Sequence, residues 1–175
     1  PDPQSGEGEV WVRGENIMKG YYKEPEATKK VLVEDGWFRT GDLGLLDKDN
    51  YLYIKGRIKN VIVGSSGENI YPEEIESVIN RYSHVLESIV VKQDGKLVAL
   101  VHFNIDEIEK QFHHMKDEAR KHAEAKMEEL VAELKGFVNQ RVNRFSQIKH
   151  VVAHLEPFEK TATKKIKRFL YFENN

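Results

Sequence analysis

Three groups in this 175-residue chain stand where ionic chemistry could be done. Asp42 ends the run W-F-R-T-G-D (Trp37 to Asp42), Arg57 follows Gly56, and Lys165 sits in K-T-A-T-K-K-I-K-R (Lys160 to Arg168). An ionised carboxylate offers two acceptor oxygens, which suits the adjacent 2′ and 3′ hydroxyls of a ribose. A guanidinium donates as a rigid fork, to the same sugar or to a phosphate. Each residue also has a plainer reading. Asp42 can be a turn aspartate bonding its own backbone. Arg57 can be half of a surface salt bridge, and a lysine run can be a solvated basic tail.

Composition narrows the classes around these residues. The chain is 39% hydrophobic and 32% charged, enough for a core and too charged for a membrane protein. No apolar run approaches the roughly 18 residues of a spanning helix. No charged-then-apolar leader opens the chain, and P-D-P-Q-S-G-E-G reads as a cut inside a loop. With no cysteine, disulfides, thiolate nucleophiles and cysteine-held zinc are excluded, in keeping with a cytoplasmic protein. A net charge of −2 gives no general bias toward nucleic acid or anionic lipid. The bias is local: Glu159 to Arg168 carries five basic residues against one acidic.

The elements that must position these groups can be read from pattern. E-V-W-V-R (Glu9 to Arg13) alternates like a strand, Pro25 opens a short helix, and Gly36 turns the chain into W-F-R-T-G-D. Asp47 to Asn50 separate two apolar runs as a hairpin turn. After Gly56 the character changes. Val61 to Val63 predict a short strand, and Pro72 predicts a helix start with Glu73 and Glu74 in its first turn. Asp94-Gly95 predicts a hairpin between Ser88–Gln93 and Lys96–Phe103. Asp106 to about Arg144 keeps helical apolar spacing, with Gly136 as a candidate break, and Ile148 to His154 return as a strand. The expected fold is therefore α+β: a β-rich N-terminal segment, then a small α+β domain with an antiparallel sheet and flanking helices.

Gly64-Ser65-Ser66-Gly67-Glu68-Asn69 lacks the spacing and the terminal Lys-Ser/Thr of a phosphate-binding Walker loop. Gly67 within it is expected to take a backbone angle closed to other residues, or to let a ligand approach. His113, His114 and His122 show no metal-ligand spacing and read as solvated side chains on the long helix.

The order and spacing of the three runs resemble the adenylate-forming, AMP-binding acyl-CoA synthetases over nearly the whole chain. With A-E-L-K-G-F-V-N-Q-R-V-N-R-F-S and E-P-F-E-K-T-A-T-K-K-I-K-R-F-L-Y, the likeness is greatest to bacterial long-chain fatty acid–CoA ligases. The resemblance implies that residues 1–56 are the tail end of a large N-terminal adenylation domain and 57–175 a mobile C-terminal domain. It implies a fatty acid, ATP with Mg2+, and CoA as reactants: the acid forms acyl-AMP and pyrophosphate, and the CoA thiol then displaces AMP. Asp42 and Arg57 would hold the nucleotide, Lys59 would be the hinge between the two reaction orientations, and Gly67 and Glu68 would border the pantetheine channel. Ser66 stands where many relatives carry glycine.

Lys165 would be catalytic, because a compact cation can bridge the attacking carboxylate and the α-phosphate as charge accumulates. The family pattern is Thr, two residues, Gly, Lys, Ile, one residue, Arg. Here Thr161 to Arg168 match except that Lys164 replaces the glycine, which makes Lys164 a rival for the role. Glu73, Glu74 and Glu76 match the family's E-I-E helix, with a structural role.

The family's loop for the β- and γ-phosphates, its Tyr-x-x-Thr-Glu segment and its acyl tunnel are not in this chain. The chain alone is therefore expected to be inactive, its missing partner being the N-terminal domain. Two alternatives stay open: an adenylation enzyme that delivers acyl groups to a carrier protein, and a non-enzymatic basic-tailed binding module. No nucleic acid and no integral membrane segment are expected, and peripheral membrane contact is left open.

Overall fold

Alternating runs on either side of Asp47 build the first sheet. The computed structural model describes residues 6–112 and 119–172, and the chain divides into two units, Pro1–Val61 and Ile62–Asn175. In the first, β1 (Glu7–Val12), β2 (Phe38–Leu46) and β3 (Leu52–Arg57) form an antiparallel sheet in the order β1-β2-β3. Pro25 opens α1 (Pro25–Val31), fixing the backbone for its first turn. The β2–β3 turn is held by the Asp47 carboxylate, which accepts from the Asp49 and Tyr51 amides at 2.9 and 2.8 Å.

Among the described residues of this unit, only Gly44 and Gly56 are buried. Tyr22, Tyr51, Tyr53 and Ile54 are all exposed. The sheet thus has strand pairing and no apolar interior of its own. Its amides should exchange with solvent faster than those of the hairpin between Ser88 and Phe103, as hydrogen exchange would measure. Equal protection in the two units would show the first to be self-sufficient.

The second unit holds the core. A two-stranded ladder of β4 (Ile62–Val63) and β5 (Asn69–Ile70) leads into α2 (Pro72–Ile79), with Pro72 at its first turn. β6 (Val85–Gln93) and β7 (Lys96–Phe103) pair antiparallel through Asp94 and Gly95, both at positive φ as the predicted Asp-Gly turn requires. Next come α3 (Ile105–Phe112), α4 (Ala119–Asn139) and β8 (His150–Ala153). β8 joins the edge of β7 in parallel, so the hairpin is antiparallel as expected and the third strand makes the sheet mixed. A parallel partner needs a long crossover, and α3 and α4 lie on it.

Strand alternation sends I-V-V (Ile89 to Val91) to opposite faces. Val90, Ala99, Val101 and Phe103 pack with Ile75 and Ile79 of α2 and with Leu134 and Val138 of α4. Ile89, Val91 and Val98 point the other way and are covered by Phe158 from the C-terminal segment. The sheet therefore lies between helices on one side and the tail on the other.

Two features of the long helix differ from the sequence reading. α4 runs through Gly136 without a break, its Leu134 and Val138 buried on either side. Core packing of that face outweighs the glycine's modest helix penalty. The helix ends at Asn139 and not near Arg144, which lies in a 3-10 turn capped by the Asn143 side chain. His113 and His114 lie outside the described residues.

Candidate functional site

The register of β2 and β3 sets Asp42 directly opposite Arg57. Arg57 Nη1 donates to Asp42 Oδ1 at 2.8 Å, with both side chains partly exposed. Gly41, at φ +73°, turns the chain just before Asp42. The Asp42 amide donates to Thr40 Oγ1 at 3.0 Å, and the Thr40 hydroxyl donates to Val10 O on β1 at 2.8 Å. Thr-Gly-Asp is thereby pinned across three strands, with the carboxylate and guanidinium side by side. The surface salt bridge is real, and it leaves chemistry over: a guanidinium has five donors, more than one carboxylate oxygen can take. Lys59 lies in the 3-10 turn Ile58–Asn60 that follows β3, closed by the Val61 amide donating to Ile58 O at 3.3 Å.

The loop between β4 and β5 is a tight turn. The Gly64 amide donates to Glu68 O at 2.9 Å, and the Gly67 amide donates to Gly64 O at 3.2 Å. Gly67 takes φ +86°, the left-handed angle expected of it, with open space where a Cβ would stand. Glu68 turns back on its own loop and accepts the Ser66 amide at 3.0 Å. Its side chain occupies the volume over Gly64, where an added Cβ would lie 1.9 Å from Oε1.

Lys165 is carried on a closed loop. The Lys167 amide donates to Glu159 O and the Thr161 amide to Lys165 O, both at 2.8 Å. The Lys165 amide donates to Thr161 Oγ1 at 3.2 Å, and the Lys164 amide to Thr161 O at 2.9 Å. Lys164 takes φ +60°, a conformation that glycine adopts freely and that costs an L-residue about 1–2 kcal/mol. The family's glycine at this position thus has a geometric reason, and Lys164 keeps the turn with strain.

Three of the five basic residues around this loop are neutralised by carboxylates. Lys160 pairs with Glu87 of β6, Lys167 with Glu159 at 3.2 Å, and Arg168 with Glu76 of α2. Among the described residues, Lys164 and Lys165 have no ion-pair partner, and both are exposed. The loop's ends are fixed by packing: Phe158 is buried, stacks on His154 and meets Tyr171 edge-on, and the Tyr171 hydroxyl accepts the Glu159 amide at 2.9 Å.

Sequence reasoning missed these carboxylates as anchors. Glu76 and Arg168 are 92 residues apart, so neither helical nor strand spacing could join them. Burial raises the Glu76 carboxyl above its usual range, and hydrogen bonds from Arg168 and the Val90 amide offset only part of that rise.

No protein-family model matches the chain. It is similar to sulfoacetate–CoA ligase of Cupriavidus necator, 47% identical over 91 residues, which is 52% of this chain and 18% of that protein. It is 49% identical over 88 residues to the long-chain-fatty-acid–CoA ligase FadD13 of Mycobacterium tuberculosis, 50% of this chain and 17% of the other. Among solved structures, the o-succinylbenzoate CoA synthetase MenE of Bacillus subtilis bound to its acyl-adenylate intermediate superposes with a TM-score of 0.71. That match has 27% identity and covers 97% of this chain and 31% of MenE. The same enzyme with ATP and magnesium gives 0.69 at 28% identity over 93% of this chain and 30% of MenE. The chain thus spans less than a fifth of the length of these curated relatives and about a third of that structural neighbour.

Proposed function

We propose that this chain, similar over about half its length to AMP-binding acyl-CoA ligases, is the C-terminal portion of an adenylate-forming acid–CoA ligase and completes its active site, with a long-chain fatty acid as substrate. The observation that carries this reading is Lys165: an exposed, unpaired ammonium on an anchored loop whose other cations are largely neutralised. In the proposed reaction an acid attacks the α-phosphate of ATP, releasing pyrophosphate, and the CoA thiol then displaces AMP. Lys165 stabilises charge in the first step. Asp42 accepts from the ribose hydroxyls beside Arg57, and the Gly67–Glu68 turn serves the thiol step. Residues 1–56 belong to the adenylation domain and 57–175 move as a body about Lys59. Mg2+ would enter with the nucleotide's phosphates and offset their charge. The long-chain assignment leans on FadD13, at 49% identity. Sulfoacetate–CoA ligase is similarly close, at 47% identity, so the acid preference is the feature to measure.

Two measurements on the full-length protein test the reading. Acid-dependent exchange of pyrophosphate into ATP should appear without CoA, strongest with long-chain fatty acids, and adding CoA should give the thioester. No exchange with any carboxylic acid would overturn the class, and a preference for short or aromatic acids would overturn the substrate. Asp42→Ala should raise the KM for ATP by on the order of tenfold or more, as for a lost hydrogen bond to a charged group. An unchanged KM would remove Asp42 from the nucleotide site.

A further inference from the structure

The buried pair Glu76–Arg168 joins two parts of the second unit that have no neighbourhood in sequence. Glu76 lies in the middle of α2, with Ile75 and Ile79 beside it fully buried, so this helix is fixed to the core. One Glu76 oxygen accepts the Val90 amide of β6 at 2.7 Å, and the other takes the Arg168 guanidinium. Both side chains are largely buried, and Arg168 Nη1 is out of reach of solvent. Arg168 is only three residues beyond Lys165, at the point where the loop closes.

We propose that Glu76 is a positioning residue for the adenylation step: through Arg168 it fixes the base of the Lys165 loop. This rests on Lys165 being the catalytic cation. The other two ties do less. Lys160–Glu87 and Lys167–Glu159 are more exposed ion pairs, of a kind that contributes little to rigidity. A buried carboxylate that already holds the Val90 amide has one orientation left for its second oxygen, and so defines where the guanidinium goes. The same helix begins at Pro72, just after the Gly67 turn, so the two loops proposed for the two steps are referenced to one rigid element. Because α2 is held independently by its apolar face, weakening the pair frees the Lys165 loop and leaves the Gly67 turn in place.

The test compares both half-reactions in full-length Glu76→Gln, Glu76→Gln/Arg168→Met and Lys165→Ala. Glutamine keeps an acceptor for the Val90 amide and loses the charge that orders Arg168. A displacement of about 1 Å can cost on the order of 100-fold in rate. Glu76→Gln should therefore lower kcat for acyl-AMP formation by about 10- to 100-fold, with the KM for ATP little changed and thioester formation from supplied acyl-AMP preserved. The double variant removes the stranded buried charge, so thermal stability should recover toward wild type while acyl-AMP formation stays low. Recovery of that rate together with stability would reduce the pair to a structural role and overturn the inference, as would equal loss of both half-reactions in Glu76→Gln. A wild-type rate in Glu76→Gln beside a selectively impaired Lys165→Ala would overturn the positioning role alone. A Lys165→Ala variant without that selectivity would overturn the assignment of Lys165, and the positioning role with it.

Discussion

Lys165→Ala in the full-length protein should lower acyl-AMP formation by roughly 100- to 1,000-fold, the usual cost of losing one preorganised charge at a transition state. Thioester formation from supplied acyl-AMP should stay within a few-fold of wild type, since that step needs no bridge between a carboxylate and the α-phosphate. The selectivity matters more than the size. A misfolded protein loses both half-reactions, whereas loss of one transition-state contact removes only the step that uses it. Lys164→Ala should have a smaller effect. Lys164 occupies the left-handed turn position at φ +60°, where its part is conformational, although its ammonium also adds to the local positive charge. A larger defect in Lys164→Ala than in Lys165→Ala would transfer the catalytic role by one residue. Uniform damage to both steps in Lys165→Ala would remove the role from this loop.

Lys59→Pro should separate the two half-reactions by on the order of tenfold or more, one surviving far better than the other. Proline holds φ near −65° and pushes the preceding residue out of the helical region. In the turn Ile58–Asn60 this restricts Lys59 and Ile58 together, which is a direct obstruction to any rotation centred there. If the domain must adopt one orientation for adenylation and another for the thiol step, only one remains accessible. Single-turnover rates for each step would show the split. Equal rates for the two steps relative to wild type, in a protein that still folds, would move the hinge elsewhere.

Local signals in this chain were legible because they act over a few residues. The Asp94-Gly95 turn and Pro72 at the start of α2 both depend on near neighbours. Asp42 and Arg57 could be named singly from their chemistry, but their meeting at 2.8 Å depends on the bulged register of β2 against β3. That register is decided by the whole strand pair and not by either motif. The anchors of the Lys165 loop were not legible for the same reason. Glu76, Glu87 and Glu159 are ordinary surface glutamates by composition, and only the tertiary fold brings two of them from α2 and β6 to the tail. Gly136 misled because helix propensity is weak against a buried face that includes Leu134 and Val138.

The parallel docking of β8 has a consequence for synthesis. β7 is the middle strand, yet one of its edges has no partner until His150 to Ala153 have been made. Until Phe158 follows, Ile89, Val91 and Val98 lack their cover as well. A nascent or truncated chain ending before this point would present an unpaired strand edge beside bare apolar surface, the arrangement most prone to intermolecular pairing. The residues that close the sheet are the same strap that carries Lys165. A truncation that begins before His150 would therefore uncover the sheet as well as remove Lys165, whereas one that begins after Phe158 would remove Lys165 and keep both closing elements.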